Sequence, residues 1–231
     1  MDELEVYLNE SHFYDSKKIN QILNNKIKIN ETHIKILSRI KQPFNFVELF
    51  EKYGYIFTEE TYKLVVSQNS WALIYIPDDK KTEEICKIAV RHDGWRIMDV
   101  PENMQTDEIC KIAVQQDAQA LRFVIENKKT TEICKIAVQI FGDLLEYVPE
   151  DKKTYELCEI AVKQYGYALH YVPEDKKTDE LCEIAVKQNG YALYYVPEDK
   201  KTDELCKIAF NKDIRAFQCI PENKKYLVIK K

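Results

Sequence analysis

The chain has 231 residues, 45% of them hydrophobic and 32% charged, a balance that supplies a substantial core and excludes a disordered chain. Its formal net charge of -5 argues against partners that require a basic face, such as nucleic acid or an anionic membrane. The opening MDELEVYLNESHF lacks the basic-then-apolar pattern of a secretory signal. The longest apolar run, WALIYI, falls far short of the roughly 20 residues of a spanning helix. A soluble, cytoplasmic protein is expected, and only five glycines fit an all-α chain with few tight turns.

In chain order, residues 1–57 predict three short helices in DSKKINQILNNK, NETHIKILSRI and PFNFVELFEKYG. Ser16 and Asn30 are candidate N-caps and Gly54 a candidate stop. Stacked repeats need atypical covers at their ends, so this segment reads as an N-terminal helical cap, with a small recruiting module as the alternative.

From residue 58 the chain repeats itself. Cysteines stand at 86, 110, 134, 158, 182 and 206, a constant step of 24, each preceded four residues earlier by a threonine. An earlier copy has Thr58, with Tyr62 in the cysteine position, which makes seven copies over 58–225. In each, the threonine is positioned as an N-cap, where loss of its hydroxyl costs about 1 kcal/mol, and a glutamate follows in the first turn at the positive end of the helix dipole. Leu181, Cys182, Ile184, Ala185 and Val186 span an arc of roughly 200° on a helical wheel. That is wider than the apolar stripe of a surface helix and implies neighbours on both sides. Gly190 is expected in a left-handed C′ position ending the helix. A short second helix, YALYYV, should stop at Pro197, because the residue before a proline avoids helical angles. PEDKK then forms an exposed corner.

A 24-residue helix pair cannot bury its own apolar face, whereas stacked copies can. The expected fold is therefore all-α: an α-solenoid of seven helix-turn-helix repeats, with a globular bundle as the alternative. The last copy carries Phe210, Ile214 and Phe217 where most of its sisters carry Val, Gly and Leu. Residues 226–231 are expected to cover its open face.

The stretch CEIAVKQNGYALYYVPEDKKTDEL and its sister copies resemble an uncharacterised family of short tandem helical repeats, a domain of unknown function found in bacteria and mimivirus-like giant viruses. The resemblance covers 58–225 and implies no activity or catalytic residues; it does imply a viral origin.

Four residue sets are candidates for function. The cysteines never form a C-x₂₋₄-C pair, the usual mark of a zinc site, so they read as small buried hydrophobes with no metal or cofactor. Lysine pairs recur at the corner (Lys80–Lys81, Lys128–Lys129, Lys152–Lys153, Lys176–Lys177, Lys200–Lys201, Lys224–Lys225). Acidic residues flank them, so they read as a solvated corner rather than a track for a phosphate backbone. Aromatics form two columns: Trp71, Trp95, Tyr167 and Tyr191 after the glycine position, and Tyr75, Phe123, Tyr147, Tyr171 and Tyr195 before the closing Val or Ile. One column is expected to pack between repeats and the other to offer the Trp and Tyr anchors typical of interfaces. His12, His33, His92 and His170 are scattered and support no catalysis. The expected role is a non-enzymatic scaffold or adaptor for a protein partner. Alternatives are nucleic-acid binding along the lysines, or a self-assembling structural component such as that of a virus particle.

Overall fold

The computed structural model describes residues 3–10, 16–23, 29–37, 48, 51–52 and 54–229, which form helices and turns with no strand among them. They fall into two compact parts, Met1–Asp117 and Ala118–Lys231.

The first part opens with α1 (Glu3–Glu10), α2 (Ser16–Leu23) and α3 (Glu31–Leu37). Asn30 caps α3 as its sequence implies, with Oδ1 accepting from Thr32 N at 2.8 Å and His33 N at 3.2 Å. Ser16 is instead the first helical residue of α2. Most of the third expected helix, PFNFVELFEKYG, lies outside the described residues. Gly54 adopts a left-handed φ of 82°, the backbone of a helix stop.

Helices of the repeats follow: α4 (Glu59–Gln68), α5 (Glu83–His92) and α6 (Asp107–Gln116) in the first part. The second part holds α7 (Thr131–Ile140), α8 (Tyr155–Gln164), α9 (Asp179–Gln188), α10 (Asp203–Lys212) and α11 (Tyr226–Ile229). A threonine caps each of α4 to α10; Thr178 Oγ1, for example, accepts from Leu181 N at 3.2 Å.

The end of each helix differs from expectation. Asn189, extended at φ -139° and ψ 109°, closes α9 with its N–H on Ala185 O and opens the next element by accepting from Tyr191 N at 3.0 Å. That element is a six-residue 3-10 helix, Gly190–Tyr195. Val196 is extended before Pro197, as the proline requires, and Glu198–Lys200 makes a further short 3-10 turn. Gly190 is therefore no left-handed C′ residue, since Gly54 is the positive-φ glycine. It is glycine because the following repeat leaves no space: a Cβ there would lie 2.3 Å from Ala209 O. The same holds for Gly94 at 2.4 Å from Ala113 O, Gly142 at 2.4 Å from Ala161 O and Gly166 at 2.7 Å from Ala185 O.

This close approach organises the packing. Within each part, each repeat helix packs against the 3-10 helix of the repeat before it, as α9 does on Gly166–Tyr171 and α10 on Gly190–Tyr195, and α9 also packs against α8. The result is repeat-solenoid packing. Leu181, Cys182, Ala185, Val186, Ala192 and Leu193 are all fully buried, each large apolar side chain contributing about 1.5–3 kcal/mol. Ile184, the flank of the predicted arc, is half-buried. Tyr62 fills the cysteine position of the first repeat; it stacks on Phe57 at 5.0 Å and donates to Glu51 Oε1 at 3.4 Å, anchoring α4 to the residues before it.

Candidate interaction surface

The lysine corner is not uniformly solvated. The second member of five of the six pairs is buried: Lys81, Lys129, Lys153, Lys177 and Lys201, with Gln105 in the same position in the second repeat, while Lys225 of the last pair is half-buried. Each of these lysines pairs with the carboxylate three residues earlier, as Lys177 does with Glu174 at 2.6 Å. Two also donate to the carbonyl that ends the next repeat's 3-10 helix, Lys81 to Asp99 O at 2.9 Å and Lys177 to Tyr195 O at 3.1 Å. Gln105 Nε2 reaches Ile97 O at 3.4 Å. The physical reason is the lysine stem, whose methylenes lie under the neighbouring repeat while the ammonium satisfies groups at its edge. Sequence alone could not distinguish this strut from a solvated pair. Lys200 and Lys224 tie back to Asp179 and Asp203 at 2.8 and 3.2 Å. Carboxylates thus offset the positive charge of these corner lysines locally.

The cysteines occupy the core as small hydrophobes. All seven are buried thiols outside any disulfide, and burial pushes the thiols of Cys86, Cys134, Cys158 and Cys182 up to about 11. Among the described residues no three His, Cys, Asp or Glu side chains gather as a metal-binding group.

The aromatic columns behave differently in the two parts. In the first, Trp71 is 56% and Trp95 37% exposed, yet both are held in place. The Arg96 guanidinium lies 3.8 Å over the Trp71 ring, and Trp95 Nε1 donates to Asp117 Oδ2 at 2.7 Å. Arg96 is itself buried, salt-bridged to Asp93 at 3.1 Å and Asp99 at 2.7 Å. Ile74 and Met98 are exposed beside the tryptophans in sequence, and Tyr75 is half-buried.

In the second part the columns merge instead of dividing into a packed and an exposed one. Tyr167 lies 6.0 Å from Tyr191 in its own column and 5.9 Å from Tyr195 in the other. Tyr165 extends the row at 5.6 Å from Tyr167, and Tyr194 at 6.1 Å from Tyr191. His170 closes on Tyr195 at 4.6 Å and on Tyr171 at 4.9 Å. Tyr147 lies under Arg122 at 4.9 Å, and Phe123, Tyr147, Tyr167, Tyr171, Tyr191 and Tyr195 are half-buried. Burial, the largest cause, raises the phenols of Tyr167, Tyr171 and Tyr195, which keeps their hydroxyls protonated. Two exposed rings, Tyr165 at 44% and Tyr194 at 61%, lie outside both columns. Their signal was available in the repeat pattern: Tyr165 stands where most sisters carry Asn or Asp and one carries Phe141, and Tyr194 where the sisters carry Ile, Met, Arg, Glu, His and Gln. Beside Tyr165 a cleft of about 270 Å³ opens between Ile140, Phe141, Asp143 and Gln164.

Neither the curated proteins nor the solved structures offer a match to this chain. Three tandem segments, residues 82–127, 130–176 and 178–223, match the family described as Domain of unknown function (DUF4116), and each segment begins at a capping threonine and spans two of the 24-residue repeats. The matches cover more than half of the sequence, and the chain belongs to this family of tandem helical repeats.

Proposed function

We propose that the chain is a scaffold without catalytic chemistry of its own, which holds a protein partner against the aromatic face of 142–219. The observation that carries this reading is the tyrosine row Tyr165–Tyr167–Tyr191–Tyr194, whose members are exposed or half-buried and in ring-to-ring contact across adjacent repeats. Tyrosine presents a large rigid ring together with a hydroxyl donor, and such residues dominate the energetics of protein interfaces. Trp71 and Trp95 offer a second pair of immobilised anchors. Burial of the second lysines weakens the nucleic-acid alternative. The resemblance to repeat proteins of bacteria and giant viruses adds an intracellular, viral setting to the same reading.

The test is affinity capture from the native host followed by mass spectrometry, comparing the wild-type chain with the double variant Tyr167→Ala, Tyr194→Ala. A protein captured by the wild type and lost from a variant with an unchanged circular-dichroism spectrum is the expected result. Equal capture by both, or submicromolar and salt-sensitive binding of generic DNA or RNA, would overturn the proposal.

A further inference from the structure

We infer that Ile214 is a stop built into the seventh repeat, which prevents the helix of any further repeat, from this chain or from a second copy, from docking on α10 and its 3-10 helix. The position that Ile214 occupies is where each stacked repeat admits its successor. At Gly94, Gly142, Gly166 and Gly190 the following helix brings an alanine carbonyl to within 2.3–2.7 Å of where a Cβ would stand. Ser70 and Ala118 hold the position in the first and third repeats, so six of the seven copies carry Gly, Ala or Ser there and one carries a β-branched residue.

An isoleucine adds a Cβ and three further carbons at the place where that carbonyl would come. A Cβ there already falls about 1 Å short of an acceptable carbon–oxygen contact, and the further carbons of isoleucine widen the gap at which an incoming helix would have to stand off. Close-packed interfaces do not accept such a gap, because the residues on either side lose their contacts together. Ile214 is 72% exposed, so α11, which packs against α10, does not cover it. Phe210 and Phe217, both half-buried, lie 6.2 Å apart, and Lys225 stands 5.1 Å from the Phe217 ring, so bulkier side chains occupy the positions of the Val and the Leu or Ile of earlier repeats. The exposed isoleucine is thus retained at a cost in solubility where glycine would invite stacking, a device of the kind that limits open-ended association.

The experiment inserts a copy of residues 178–201 after Lys225, ahead of 226–231, in the wild-type and the Ile214→Gly backgrounds. A Lys187→Arg change in the copy marks its peptides, and hydrogen exchange is read by mass spectrometry. With Ile214 the inserted repeat should exchange at the rate of unfolded chain. In the Ile214→Gly background its helix amides should exchange at least about tenfold more slowly, the signature of docking. Circular dichroism of Ile214→Gly without the insert checks that the host fold persists. Equal protection in both backgrounds, or no protection in either, would show that Ile214 is not what closes the stack.

Discussion

Replacing Gly190 with alanine tests the packing argument at its tightest point. The new methyl would stand 2.3 Å from Ala209 O, 2.9 Å from Asp213 N and 3.1 Å from Asp213 Cβ. The first distance is about 1 Å shorter than an acceptable carbon–oxygen contact. The obstacle is helix backbone, which cannot swing aside as a side chain would, so α10 must shift as a body. Overpacking of this kind costs about 1–3 kcal/mol. Two facts hold the estimate toward the lower end. Ala118 occupies the equivalent position in the third repeat at 3% exposure, so the fold contains one accommodated methyl. The φ of Gly190 is not positive, so alanine also gains about 0.4–1 kcal/mol through the unfolded state. A net loss of about 1–2 kcal/mol corresponds to a fall in Tm of roughly 2–8 °C for a chain of this size. Differential scanning calorimetry on the wild type, Gly190→Ala and Gly190→Val measures it, with the larger fall expected for valine. An unchanged or raised Tm in both variants would refute the claim that glycine is required for close approach.

Three further outcomes are expected. Lys177→Met should lose about 1 kcal/mol in urea denaturation because it removes donors to Glu174 and Tyr195 O, while Lys176→Met, at an exposed pair with Asp175, should change stability by less than about 0.5 kcal/mol; equal effects would contradict the strut. The thiols of Cys86, Cys134, Cys158 and Cys182 are raised in the fold to about 11, so above an unfolded value near 9 the unfolded chain releases protons that the fold retains. Under reducing conditions stability should hold through neutral pH and decline between about pH 9 and 11, and the decline should be shallower in Cys158→Ala, Cys182→Ala; an identical slope in the variant would remove the thiols as its cause. Deleting 226–231 removes α11 from α10 and should lower the Tm or promote aggregation, whereas a truncation as stable and soluble as the full chain would deny the segment a covering role.

Much of the local structure was legible from residues alone. A threonine hydroxyl bonds within its own first turn, a proline restrains the residue before it, and a cysteine recurring on a broad apolar arc must be buried. Each of these depends on neighbours a few positions away, so the 24-residue period carried the helix starts, the 3-10 helix ends and the core positions. What the tertiary structure decided lies between residues about 18 to 28 positions apart. Gly190 was legible as a special position but not as the seat of Ala209 O. Lys177 and Lys176 are indistinguishable in sequence, yet one is buried beneath the next repeat and the other lies at the surface. Tyr167 meets Tyr191 and Tyr195 because successive repeats are offset by an amount that no single repeat encodes. A period specifies which residues recur; the rotation and rise between repeats, set by the collective packing of their backbones, determine which of those residues touch.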